Sequence, residues 1–268
     1  MANPMYRQIA EDLREQIESG QLKPGQQLKT EIELRERYSA SRNTVRDAIK
    51  WLTSLGLVET RPGQGTFVVK KIDPFVTTLT VNMQRSPGQV VGGGEGAGCL
   101  AEVVGRKRIP TSTTPQVEIQ KATDRVSGQL RIPEGSQVIS RHQRRYIDGT
   151  PWSLQTSFYP RRFADTGADR LTYADDIEEG AAKYLADVLG LTQAGYSDWI
   201  TVRAPDATEA FFFNVPQDGR IGVFEIFRTA FDQNGKPMRL TVTVFPTDRN
   251  QFIVDVGHVA RAEGGASL

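Results

Sequence analysis

Between residues 28 and 69 apolar positions recur at three- and four-residue spacing and then at alternating positions, a pattern that predicts two helices, a turn and a β-hairpin. Ile32 and Leu34 are the apolar residues of a short helix that ends near Tyr38. Thr30 can cap it, and Glu31 and Glu33 stand at the positive end of its dipole. Ser39 and Ala40 make the turn. Ser41 caps a longer helix in which Val45, Ala48, Ile49, Leu52 and Leu55 define one buried stripe, and Gly56 stops it. Leu57 to Thr60 and Thr66 to Val69 are β-prone runs on either side of Arg61-Pro62-Gly63-Gln64-Gly65, whose glycines permit a tight tip. This order of parts is that of a winged helix-turn-helix.

The polar face of the longer helix carries the candidate chemistry. Arg42, Asn43, Thr44 and Arg46 cluster near its N-terminal end, where a recognition helix meets base edges and phosphates. A guanidinium fork matches guanine and an Asn amide matches adenine. Ser and Thr hydroxyls reach phosphate oxygens, which adds Thr30 and Ser41 to the candidate DNA-binding set. Arg42, Arg46 and Lys50 follow one another at four-residue spacing, so positive charge is concentrated on one helix face although the net charge of the chain is only +1.

Tyr6-Arg7-Gln8-Ile9-Ala10, Leu13-Arg14, Pro24-Gly25, Ser41-Arg42-x-Thr44-Val45-Arg46-x-Ala48, Gly56-Leu57-Val58 and Gly63-x-Gly65-Thr66-Phe67-Val68 together resemble the GntR family of bacterial transcription regulators. The resemblance implies operator contacts by Arg42, Asn43, Thr44 and Arg46, with Gly63 and Gln64 of the wing approaching the minor groove. Lys29-Thr30 and Ile32 depart from the family's usual Pro-Ser and Arg, and Arg35 and Arg37 offer positive charge nearby.

A length of 268 residues predicts more than one domain. The single cysteine, Cys99, excludes an intrachain disulfide and reads as a filler in a flexible segment. With no signal-like segment and no apolar run of about 20 residues, the expectation is a cytoplasmic protein without a membrane partner. The expected domains are 1–71 for DNA binding, 72–116 for a linker with a glycine-rich loop, 117–260 for a second domain and 261–268 for a flexible tail. Within the linker, Phe75, Val76, Leu79, Val81 and Met83 are apolar enough to pack on the second domain. Gly92 to Gly98 reads as a mobile loop that lacks the strand, helix start and Lys-Ser or Lys-Thr of a phosphate loop.

From about Val117 to Val256 the main feature is an internal near-repeat. In the first copy Ala122-Thr123-Asp124 leads through Ile132-Pro133 to β-rich runs around Asp148-Gly149. In the second, Ala207-Thr208-Glu209 leads through Val215-Pro216 to runs around Asn234-Gly235. Each copy predicts a short helix followed by a hairpin. Between them Ile177 to Leu189 predicts a helix with Ile177, Ala181, Tyr184, Leu185, Val188 and Leu189 on its apolar side and Gly190 as its stop. The fold class is therefore α+β: a winged helix-turn-helix, then an antiparallel sheet with packed helices.

That repeat resembles the UTRA effector-binding domain, of chorismate-lyase-like fold, which marks the HutC branch of GntR regulators. The resemblance implies a small-molecule effector site at Thr78, Thr80, Gln143, Arg145, Gln155, Arg239 and Phe245. Gln143 stands where Arg is usual, Gln155 and Arg239 where Glu is common and Phe245 where Tyr is common, so Arg145 and Arg239 can hold a carboxylate or another anion. His142 and His258 have no second ligand at useful spacing, and neither a metal nor a cofactor is expected. No catalytic Ser/His/Asp or Cys/His arrangement is visible, and Asp175-Asp176 with Glu178-Glu179 reads as a solvated helix start rather than a catalytic pair. The reading is a non-enzymatic homodimeric repressor that binds an inverted-repeat operator and is released by a small-molecule effector, with anions among the candidates. The alternative is a ligand-independent DNA-binding repressor whose second domain only dimerises.

Overall fold

A computed structural model describes residues 4–69, 74–80 and 96–256. Val81, Met83, residues 86–95 of the glycine-rich stretch, His258 and the tail 261–268 lie outside the described residues. The chain divides into two compact units, Met1–Asp73 and Pro74–Leu268.

In the first unit α1 (Met5–Glu18), α2 (Glu31–Tyr38) and α3 (Arg42–Ser54) precede an antiparallel hairpin of β1 (Val58–Arg61) and β2 (Gly65–Val68). Ile9, Leu13, Leu34, Val45, Ala48, Leu52, Val58 and Val68 form its core. The starts of α2 and α3 have local causes. Thr30 and Glu33 form a reciprocal capping box on α2, and Ser41 accepts from the Thr44 amide to begin α3. Two positions expected to be apolar contacts turn outward: Ile32 is exposed, and Leu55 is 47% exposed because α3 ends one residue before it.

In the second unit β6 (Gln137–Ile147) and β7 (Thr150–Pro160) form one hairpin, β9 (Val223–Asp232) and β10 (Pro237–Pro246) another. β7 pairs with β10, so the two copies of the repeat meet at the centre of an antiparallel sheet. β8 (Gln193–Arg203) flanks β9, while β4 (Pro110–Ser112) and β5 (Gln116–Lys121) both pair with β6. α5 (Asp124–Leu130) and α8 (Ala207–Phe213) pack on one face, over Val138, Phe227 and Leu240 and over Leu154, Val223 and Val244. On the other face α6 (Arg162–Asp165), a 3-10 turn (Asp169–Thr172) and α7 (Ala181–Leu189) cover Ile139, Tyr159, Ala230 and Met238.

Several expectations need correction. Residues 74–80 and 96–116 are not a bare linker, since β3 (Phe75–Thr78), α4 (Gly96–Gly105) and β4 belong to the second unit. β3 pairs in parallel with β11 (Asn250–Ile253), and its apolar side is buried. Cys99 lies in helix α4, not in a loop; Leu100, Ala101, Val103 and Val104 extend a helical segment beyond the glycines that suggested disorder. α7 begins at Ala181, not Ile177, because Gly180 adopts φ of +84° just before it. Among the described residues no helix is long and apolar enough to cross a membrane.

Candidate functional site

The first site is the exposed end of α3. Arg42, Asn43 and Arg46 are exposed there. The Ser41 and Thr44 hydroxyls lie 2.7 Å apart, and the Thr30 hydroxyl donates to Glu33 at 2.7 Å, so the caps occupy these hydroxyls locally. This hydrogen bond, followed by that of the Thr30 amide, holds the Glu33 carboxyl below its ordinary pKa. Arg42 and Arg46 each place Nε on the Glu31 carboxylate, at 3.2 and 3.6 Å.

The wing tip is braced from outside the hairpin. Gln27 donates through Nε2 to the Gln64 carbonyl at 2.8 Å. Gly63 and Gly65 both have positive φ, +72° and +116°, which bends the tip and presents Gln64. Arg61 stacks on Phe67 with its guanidinium carbon 4.6 Å from the ring centroid, stiffening the base of the tip.

The second site is a cavity of about 340 Å³ in the second unit, within the size range of small-molecule sites. Strand alternation builds its floor. On β6 Arg141, Gln143 and Arg145 share one face; opposite them in register stand Ser157, Gln155 and Ser153 of β7. Thr241 and Thr243 of β10 extend the same rows, and Phe245 stands further along that strand. The floor is polar although it is buried. Gln155 is only 8% exposed, its Nε2 reaches the Ser157 hydroxyl at 3.4 Å, and its Oε1 has no hydrogen-bond partner among the described residues.

Gln143, Arg145, Gln155, Arg239 and Phe245 all line this cavity. Thr78 and Thr80 do not. Thr78 donates through both its amide and its hydroxyl to Glu102, and the Thr80 hydroxyl accepts from the Asp255 amide. Phe75 and Thr77 line the cavity instead, because alternation along β3 puts odd-numbered residues on that side. Cys99, Leu100 and Val103 of α4 form part of the wall, and Trp152 packs edge-on to Phe75.

Arg141, absent from the sequence-based set, organises one end. Its guanidinium donates to the carbonyls of Leu171 at 2.9 Å, Tyr173 at 2.7 Å and Asp175 at 2.6 Å. It thereby straps the segment before α7 onto the sheet. Burial pushes its pKa down, yet a guanidinium remains charged, and its hydrogen-bond partners are neutral carbonyls. The cavity consequently has positive potential near its floor, with Asp176 and Glu178 at an exposed rim. The readable sign was the odd-numbered polar row on β6 and β7, which alternation would have placed on one face. His142 points to the opposite face, where its Nδ1 lies 2.9 Å from the Thr156 hydroxyl, and burial, then Arg144, lowers its pKa. Among the described residues no cluster suits a metal ion.

The pattern for bacterial regulatory proteins of the gntR family matches residues 5–68, and that of the UTRA domain matches residues 105–251. The chain belongs to the GntR family, in its UTRA-bearing branch. It is 48% identical over 159 residues to the mannosyl-D-glycerate transport/metabolism system repressor MngR of Escherichia coli K12, a match spanning 59% of each chain. It is 27% identical to the HTH-type transcriptional regulator Rv0792c of Mycobacterium tuberculosis, over 99% of this chain and 90% of that one. The structure of PhnF from Mycobacterium smegmatis shares the fold, with a TM-score of 0.53 at 20% identity over 94% of this chain and all of that one. As a GntR protein with a UTRA domain, the chain is a DNA-binding transcriptional regulator.

Proposed function

We propose that this GntR protein is a homodimeric repressor of an inverted-repeat operator, released when a small polyhydroxylated anion occupies the cavity over β6, β7 and β10. In this reading Arg42, Asn43, Thr44 and Arg46 contact the major groove, and Gly63 and Gln64 approach the minor groove. Thr30 and Ser41 act mainly by fixing the starts of α2 and α3. Dimer symmetry matches the two half-sites of the operator.

The observation that carries the effector half is the buried Oε1 of Gln155, without a partner among the described residues, beside Arg145 and the hydroxyls of Ser153 and Ser157. A buried acceptor without a donor costs about 1–3 kcal/mol, and a ligand hydroxyl supplies that donor. Arg145 supplies a counter-charge for a carboxylate or phosphate. The name of the MngR relative, which concerns a glycoside that bears a carboxylate, supports the same ligand chemistry. This favours the effector-responsive reading over a second domain that only dimerises. The ligand changes operator affinity by as much as it prefers one arrangement of the protein over the other.

Fluorescence anisotropy on DNA from the chain's own upstream region tests both halves. Arg42→Ala and Arg46→Ala should each weaken specific binding by about 1–3 kcal/mol and flatten its salt dependence. Arg145→Ala should leave DNA binding intact and blunt release by ligand. Unchanged operator binding in both α3 variants would overturn the recognition helix, and full release of Arg145→Ala would overturn the anion site.

A further inference from the structure

Glu31 occupies the first position of α2, outside the helix whose arginines face DNA. Its Oε2 lies 3.2 Å from Nε of Arg42, and its Oε1 lies 3.6 Å from Nε of Arg46. One carboxylate therefore splints two guanidinium groups one helical turn apart. Because only Nε is engaged among the described residues, the Nη1 and Nη2 edge of each group stays available, and that edge can form a two-pronged contact with guanine O6 and N7. The splint has a fixed base. Thr30 and Glu33 lock the start of α2 through the capping box, and Leu34 is buried in the core with Val45 and Ala48 of α3. The backbone of Glu31 cannot shift without moving a helix that is fixed at its start and through Leu34.

We infer that Glu31 is a positioning residue for sequence discrimination: it aims the forks of Arg42 and Arg46 at base edges and repels phosphates from the same two cations. The inference rests on the assignment of α3 as the recognition helix. In isolation the pairs are weak, since the two arginines are largely exposed and Glu31 is partly so. Their effect lies in the difference between right and wrong DNA. On an operator the splinted forks meet guanine in a ready geometry. On random DNA two freely swinging arginines would neutralise phosphates equally well, and the carboxylate opposes that use. Arg42, Arg46 and Glu31 together carry a charge of +1; without the carboxylate they carry +2.

Two variants of the full chain separate geometry from charge. Glu31→Gln removes the charge and Glu31→Asp keeps it on a stem one methylene shorter, too short to span both Nε atoms. Binding is measured as a function of salt on a duplex selected by the wild-type chain from a random library and on a scrambled duplex. Glu31→Gln should bind scrambled DNA more tightly, with a log–log salt slope steeper by about one, and lose on the order of tenfold in the selected-to-scrambled ratio. Glu31→Asp should leave scrambled binding unchanged and weaken selected binding. Circular dichroism melts establish that both remain folded. If Glu31→Gln tightens both duplexes by the same factor, or if Glu31→Asp keeps the full ratio, Glu31 is only a counter-charge and the inference is wrong. Arg42→Ala in the same assay tests the assignment beneath it: loss of selected binding there with unchanged ratios for both Glu31 variants would sink the inference alone.

Discussion

Gln143 and Gln155 stand directly opposite one another across the β6–β7 ladder, and both face the cavity. The pair places two neutral amides beside Arg145, so the anionic preference proposed for the cavity rests on Arg145, with no carboxylate among the described residues of the same rows. Gln155→Leu tests this arrangement. Removing a buried acceptor without a partner should leave the ligand-free protein as stable as the wild type or raise its stability by about 1 kcal/mol. The same change should remove the thermal shift given by a polyhydroxylated anion. Gln155→Glu should also weaken anion binding, by adding a negative charge next to Arg145. Retention of the full shift in Gln155→Leu would show that this position does not touch the ligand.

The wing predicts a backbone effect. Gly65 has φ of +116°, and a Cβ built there would clash with Nε2 of Gln27, the atom that holds the Gln64 carbonyl. The clash alone is cheap, since the end of a Gln side chain can move. The backbone strain is not, and it costs on the order of 1–3 kcal/mol. Gly65→Ala should therefore destabilise the first unit by that amount in urea melts and weaken DNA binding, while Gln27→Ala should cost about 1 kcal/mol or less and affect DNA binding more than stability.

Tyr38 makes stability depend on alkaline pH. Burial, and then the hydrogen bond its hydroxyl donates to Asp12, push its pKa from 10.0 up to about 12. The neutral phenol is the form the fold prefers, so its contribution is complete below pH 10 and is lost as pH rises from 10 through 12. After discounting for the solvent-exposed part of the ring, the loss is about 1–2 kcal/mol. Tyr38→Phe should remove this pH dependence and lower stability at neutral pH by about 1 kcal/mol. Chemical denaturation of the first unit at pH 8, 10 and 11.5 measures both effects.

From α2 to the wing the first unit was legible in sequence because the boundaries there have local causes: the Thr30 cap, the Ser41 cap, the glycines of the wing; α1, which starts without a side-chain cap, was not read as a helix. In the second unit the two hairpins were legible from their Asp148-Gly149 and Asn234-Gly235 turns, and the near-repeat indicated that they were related. What local pattern did not supply was which strand face the cavity uses. Thr78 differs from Thr77 by one residue, and in a strand a one-residue shift reverses the side; Thr80 lies beyond the end of β3. Arg141 looked like any strand arginine, because the carbonyls that hold it come from about 30 residues further on. Helix α4 was obscured by the glycines at its start.

Release from DNA tests the account most directly. The full chain is bound to labelled DNA from its upstream region and titrated with a panel of sugar acids and sugar phosphates, with the wild type and Arg145→Ala measured side by side. At least one such anion should release the wild type, and Arg145→Ala, bound equally well to the DNA, should need at least about tenfold more of it. Release of both proteins at the same concentration, or no release by any member of the panel, would contradict the account.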